Sequence, residues 1–112
     1  MQISPDSGND STARIALTGR LDIQGAETIA LPLATLSGAK QNVVIDMSGV
    51  SFIASIGIRH LVSASKALTR RGGRLVLLNL TAPVTEVLQM AGIIDMVATA
   101  TSEDQVRALI GT

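Results

Sequence analysis

Two short apolar runs constrain this chain more than any other feature. Val43-Val44-Ile45 and Leu75-Val76-Leu77-Leu78 contain no polar residue. Each is too short for a helix and suits a strand buried on both faces. Between them, Ile58, Leu61, Val62, Ser65 and Leu68 fall at i, i+3, i+4, i+7 and i+10, which is one face of a helix. Arg59, Ser63, Lys66 and Arg70 line the opposite, solvated face. Gly72-Gly73 ends the helix, because glycine takes the left-handed cap conformation without strain. Strand, helix and strand in this order predict two parallel strands joined by a crossover.

The remaining segments extend the same pattern. Met1 to Ser4 is predicted as a short strand, Pro5 to Thr12 as a turn or hairpin loop, and Arg14 to Thr18 as a half-buried strand with Ile15 and Leu17 inward. Gly19 to Asp22 reads as a connector. Gly25 to Leu36 spaces Ile29, Leu33 and Leu36 as a helix, with a kink or late start expected at Pro32 and an end at Ser37-Gly38. Asp46-Met47-Ser48-Gly49 reads as a polar turn after the first buried run. Pro83 opens a helix on which Val84, Val87, Leu88 and Ala91 share a face, and Gly92 closes it. Met96 to Thr99 is a final short strand, and Ser102-Glu103-Asp104-Gln105 has the form of a capping box. The expected order is β-β-α-β-α-β-α-β-α. It is an α/β fold with a mixed, mostly parallel sheet of about five strands and about four helices. At 112 residues the chain is expected to be one domain, residues 1–112.

Composition removes several function classes. Nine basic and nine acidic residues give zero formal charge, so the chain lacks the cation excess that drives binding to phosphate backbones or anionic lipid. One His and no Cys exclude a zinc site built from those ligands. With no Trp, no Tyr and one Phe, there is no stacking platform for single-stranded nucleic acid. No run approaches the ~18 apolar residues that span a bilayer, and the start Met1-Gln2-Ile3-Ser4-Pro5-Asp6 carries no signal-peptide pattern. The expectation is a cytoplasmic protein with no cofactor, no metal and no direct membrane insertion. Gly72-Gly73-Arg74 precedes a strand, so it is no phosphate loop. No Gly-x-Ser-x-Gly elbow surrounds any serine, which leaves His60 as a surface or boundary residue rather than a catalytic one. Met47, Met90 and Met96 are expected as core fillers, and Phe52 as core near the start of the second helix.

Several segments together carry a resemblance. Gly19-Arg20-Leu21-Asp22 is similar to a family pattern Gly-x-Leu-Asp, and Val44 through Ile53 to a strand followed by Asp-Leu-Ser-x-Val-x-Phe-Ile. Gly73 through Leu77 and Val84 through Gly92 follow in register. In this order and spacing, over nearly the whole chain, the sequence resembles the STAS domain family, and within it the bacterial anti-sigma-factor antagonists. The resemblance implies a non-enzymatic protein that binds an anti-sigma factor of the serine/threonine kinase type. The kinase releases it by phosphorylating the start of the second helix, and a separate phosphatase restores it. No nucleic acid is a partner, and the unbound protein is a monomer.

The usual acceptor motif is Asp-Ser-Ser-Gly or Asp-Ser-Thr-Gly, with the acceptor just before glycine. Here it is Ala54-Ser55-Ile56-Gly57, so Ile56 occupies the acceptor position and Ser55 is the only hydroxyl. Ser55 precedes a helical pattern, so it is expected as an N-cap and, by resemblance, as the phosphorylation site. Asp22 and Asp46 are expected at strand ends near Ser55. There they serve either as turn and cap residues or as part of a partner-binding rim with Ser48, Ala54, Ile56, Gly57 and Arg59. The alternative to a phospho-switch is a scaffold subunit of the same fold, such as one bound to the ATPase of a lipid-transport ABC system.

Overall fold

The computed structural model describes residues 1–111. The elements are β1 (Gln2–Ile3), β2 (Thr12–Leu21), α1 (Ile23–Ala39), β3 (Asn42–Ile53), α2 (Ser55–Arg70), β4 (Arg74–Leu78), α3 (Ala82–Met90), β5 (Ala98–Ala100) and α4 (Glu103–Ile110). They form one sheet in the order β1-β2-β3-β4-β5. β1 is antiparallel to β2, and the other three pairings are parallel. The fold class and element order are those the sequence predicts.

Because the parallel strands follow one another across the sheet, right-handed crossovers carry α1, α2 and α3 to the same face. The main core lies there. Ala13, Ile15 and Leu17 of β2, Val43, Ile45 and Met47 of β3, and Leu75 and Leu77 of β4 pack on Ile29 and Leu33 of α1, Leu61 and Leu68 of α2, and Val84 and Leu88 of α3. The alternate residues Val44, Val76 and Leu78 turn to the other face, where Ala100 of β5 and Val106 of α4 complete a smaller cluster. Arg14 of β2 holds the start of α4 with a two-pronged pair to Glu103 at 2.5 and 2.6 Å. Among the described residues, no helix is long and apolar enough to cross a membrane.

Four expectations need correction. Gly19–Asp22 is not a connector: β2 runs to Leu21, and Asp22 caps α1. Asp46–Gly49 is not a turn either, since β3 runs unbroken for 12 residues. Its register against β2 shifts between Ala16 and Thr18 and again between Gly19 and Arg20, each time with one extra residue on β3. Two such bulges turn Met47, Val50 and Ile53, spaced by three, all onto the core side. α1 shows no late start and runs helical from Ile23 through Pro32 to Ala39. Pro32 is exposed while Ile29 and Leu33 are buried, so the proline sits on the water side and packing holds the helix across it. Met90 and Met96 are not core fillers: they are 82% and 54% exposed, whereas Met47 is fully buried.

The last helix is capped nearly as expected. Ser102 Oγ accepts the Gln105 N–H at 3.2 Å, but Gln105 reaches back to the N–H of Thr101 at 2.7 Å rather than to that of Ser102. β5 is Ala98–Ala100, and Met96 lies in the turn before it.

Candidate functional site

Parallel strands deliver their helices at the carboxyl edge of the sheet, where open α/β sheets bind their ligands. β2 and β3 end there side by side at Leu21 and Ile53, and the Ala54 N–H donates to the Leu21 carbonyl at 2.9 Å. α1 and α2 therefore begin next to one another. Gly57 lies in the first turn of α2 against β2. A Cβ there would stand 2.7 Å from Leu21 Cγ and 3.1 Å from the Leu21 carbonyl oxygen, so any larger residue must displace the buried Leu21 side chain.

Ser55 is the first helical residue of α2 and not its N-cap, which corrects the cap expected from the sequence. The N-cap is Ala54, with φ −100° and ψ 167°, and it offers no side-chain bond. The first turn holds no acidic residue. The N–H groups of Ser55, Ile56 and Gly57 thus have no acceptor within the helix, and the positive end of its dipole is uncompensated by side chains. Ser55 is exposed, Ile56 half-buried and Gly57 buried.

Beside this turn runs an open groove of about 530 Å³, lined by Phe52, Ile53, Ala54, Ser55 and Ile58 on one side and Val87, Met90 and Ala91 of α3 on the other. Apart from Ser55 its lining is apolar. Phe52 is only half-buried, and the Arg20 guanidinium covers its ring at 4.3 Å from the centroid. Phe52 is therefore part of this surface and not of the core, and Arg20 joins it there. Neither Met90 nor Arg20 is singled out for this site by spacing alone. The signal that finds them is exposure of a large apolar side chain in one case and the cation over the ring in the other.

The structure brings together Asp22, Ala54, Ser55, Ile56, Gly57 and Arg59 at the starts of α1 and α2. Asp22 Oδ1 accepts the Gly25 N–H at 2.9 Å, and its other oxygen lies 3.9 Å from Arg20. Arg59 is exposed one turn along α2 from Ser55. Asp46 and Ser48 do not join them. Both lie inside β3, and at about 3.3 Å of rise per residue Asp46 is on the order of 20 Å from the strand's end. Asp46 follows Val44 by two residues, so it points to the α4 side of the sheet, where its carboxylate takes the Ser48 N–H at 2.9 Å. Asp46 is a local turn-type acceptor at a bulge, not a neighbour of Ser55.

His60 is half-buried and lines a separate shallow groove between α1 and α2 with Leu33, Ser37 and Ala64. Among the described residues, no group of three His, Cys, Asp or Glu side chains could hold a metal.

Comparison with known proteins agrees with this architecture. The family model described as the STAS domain matches residues 7–106. An anti-sigma F factor antagonist of Lysinibacillus sphaericus is 29% identical over 104 residues, covering 88% of this chain and 89% of that protein. The unphosphorylated form of the anti-sigma factor antagonist SpoIIAA superposes with a TM-score of 0.82 at 25% identity, covering 99% of this chain and 98% of the other. The phosphorylated form of the Bacillus cell fate determinant SpoIIAA superposes with a TM-score of 0.72 at the same identity, over 96% and 98%. With a sheet in unbroken order, three helices on one face and a match over most of its length, the chain belongs to the STAS domain family.

Proposed function

We infer that this chain is an anti-sigma-factor antagonist, a binding module and not an enzyme. It docks on a serine/threonine kinase anti-sigma factor through the edge of the molecule that carries Ser55. The observation that carries this is the exposed Ser55 hydroxyl on the first turn of α2, at the border of an apolar groove. Likeness to proteins named as anti-sigma-factor antagonists supports the same view. The groove supplies apolar area to a partner, and Asp22, Ala54, Ile56, Gly57 and Arg59 form the rim around the serine.

The switch is phosphorylation of Ser55. Its Oγ bonds to the terminal phosphorus of the kinase's ATP, the bond from that phosphorus to the bridging oxygen breaks, and the hydroxyl proton passes to a base of the kinase as ADP leaves. A separate phosphatase returns the hydroxyl by hydrolysis. A phosphoserine carries about −1.5 to −2 charges at neutral pH. Buried under a docked partner without a counter-charge, it costs several kcal/mol. A loss of only ~3 kcal/mol weakens binding roughly a hundredfold, which suffices to release the partner with no change of fold. The unbound antagonist acts as a cytoplasmic monomer.

One residue favours an alternative. Ile56 stands where the family's acceptor hydroxyl usually is, as it would in a subunit that is never phosphorylated and serves as a scaffold, for instance on a transporter ATPase. The test mixes the protein with a purified kinase-type anti-sigma factor and ATP, followed by phosphopeptide mapping and calorimetry. Ser55 should be modified, Ser55→Ala should take up no phosphate, and Ser55→Asp should bind at least tenfold more weakly. Equal phosphate uptake by Ser55→Ala removes Ser55 as the acceptor. No modification, with unchanged binding of Ser55→Asp, favours the scaffold.

A further inference from the structure

A phosphate on Ser55 would be a new dianion on this chain's own surface, and the sequence of α2 decides what it meets there. Ser55 opens a 16-residue helix, and the side it shares continues through Arg59, Ser63, Lys66 and Arg70, all exposed. Arg59 is at i+4 from Ser55. At that spacing an acid on the N-terminal side and a base on the C-terminal side meet on a helix surface. Its guanidinium has no carboxylate partner among the described residues. No acidic residue occurs anywhere between Asp46 and Glu86, so nothing on α2 competes for it. On the adjoining elements the charged groups are Arg20 and Asp22, 3.9 Å from each other, Glu27 of α1, on the same helix side as Ala30 and Ala34 in the groove facing α2, and Glu86 of α3, the neighbour of Val87 in the apolar groove.

We propose that Arg59 is the internal partner of a phosphate on Ser55. It folds back along the outer side of α2 onto the phosphate oxygens, and the phosphorylated protein is more stable than the unmodified one. This rests on Ser55 as the acceptor and deepens it. The modification tightens the first turn of the switch helix instead of melting it. Arg59 also stands on the rim proposed to meet the partner. Once it turns to the phosphate it is withdrawn from that rim, so one event adds a repulsive group and removes a cation from the docking surface. Arg59 is a positioning residue here, acting through the phosphate.

The test encodes phosphoserine at position 55 during translation of the full chain, so no kinase is involved. Phosphorus NMR titration and thermal unfolding are then run on the phosphorylated protein with Arg59, Arg59→Lys, Arg59→Gln or Lys66→Gln. With Arg59 the second phosphate pKa should fall from about 6 to about 5.5 or below. The midpoint of thermal unfolding at pH 7.5 should rise by roughly 3 °C over the unmodified chain. Arg59→Gln should restore most of the ordinary pKa and cancel most of the gain, Arg59→Lys should keep part of both, and Lys66→Gln should change neither. The proposal is overturned if Arg59→Gln titrates like the parent, or if phosphorylation lowers the midpoint. Because the phosphoserine is encoded, a kinase that ignores Ser55 leaves this result standing, and the two claims fail separately.

Discussion

α1 and α2 start in the same place and by the same route, yet end up chemically opposite. Each follows a strand through a single extended residue, Asp22 or Ala54, and each has glycine as its third helical residue. Both glycines pass the end of β2. A Cβ on Gly25 would stand 2.3 Å from the Arg20 carbonyl oxygen, and one on Gly57 would stand 2.7 Å from Leu21 Cγ. The geometry is duplicated and the cap is not. Asp22 supplies a carboxylate to the Gly25 N–H, whereas Ala54 supplies nothing. A helix start left without a cap forgoes about 1 kcal/mol of stability. Its first turn keeps N–H groups on which the phosphate proposed for Ser55 would stand, whereas the first turn of α1 already holds a carboxylate.

The steepest way to break the comparison is through the glycines. Gly25→Ala forces the backbone of α1 away from β2 and should cost about 3 kcal/mol or more in urea unfolding. Gly57→Ala presses on a side chain first and should cost about 1–3 kcal/mol. Equal losses at the two sites would mean that backbone and side-chain contacts with β2 resist a methyl group alike. Exchanging the caps tests the difference itself. Asp22→Ala should lower unfolding free energy by about 1 kcal/mol, and Ala54→Asp should raise it by about 0.5–1 kcal/mol. With phosphoserine at position 55 the gain from Ala54→Asp should shrink, because two negative groups then share one turn.

A smaller effect compares Asp22 with Asp6, a second carboxylate bound to backbone N–H groups. Asp6 Oδ1 accepts the N–H groups of Arg14 at 2.9 Å and Gly8 at 2.8 Å, and these bonds hold its carboxyl below the usual carboxylate pKa. The stabilisation from a depressed carboxyl is present above its unfolded pKa of about 3.9 and is lost as pH falls through the lower folded value. Asp6→Asn should therefore lower the thermal midpoint slightly at pH 7, and the difference from the parent should close as pH falls below about 4, which flattens the acid limb. Asp6 is an exposed group, so the effect is the smallest of the set.

Much of the fold is legible in the residues. The apolar runs at Val43 and Leu75, the helical spacing from Ile58 to Leu68 and the Gly72-Gly73 stop lead directly to the central βαβ unit. β3 is harder. Alternation fails after Met47 because two bulges turn a period of two into a period of three, and a polar stretch such as Asp46-Met47-Ser48-Gly49 then looks like a turn. That misplacement carries Asp46 and Ser48 into the expected rim, although they lie back along the strand. The grouping of Ser55 through Gly57 and Arg59 at the start of α2 is legible. Met90 is not, because a methionine at helical spacing looks the same whether it faces the core or solvent. The cap of α2 falls one position earlier than the sequence suggests, since a serine before a helical pattern fits N-cap and N1 equally well until the backbone is seen.

The unequal covering of the sheet has a consequence for how the protein opens. Three helices bury one face, while α4 alone covers part of the other through Val106 and the Arg14–Glu103 pair. Detaching α4 exposes only the small cluster around Val44, Val76, Leu78 and Ala100, whereas detaching any of the central strands breaks into the main core. A shallow sub-global opening is therefore expected on the side away from the main core: amides of α4 should exchange with solvent through it, ahead of those of β3 and β4.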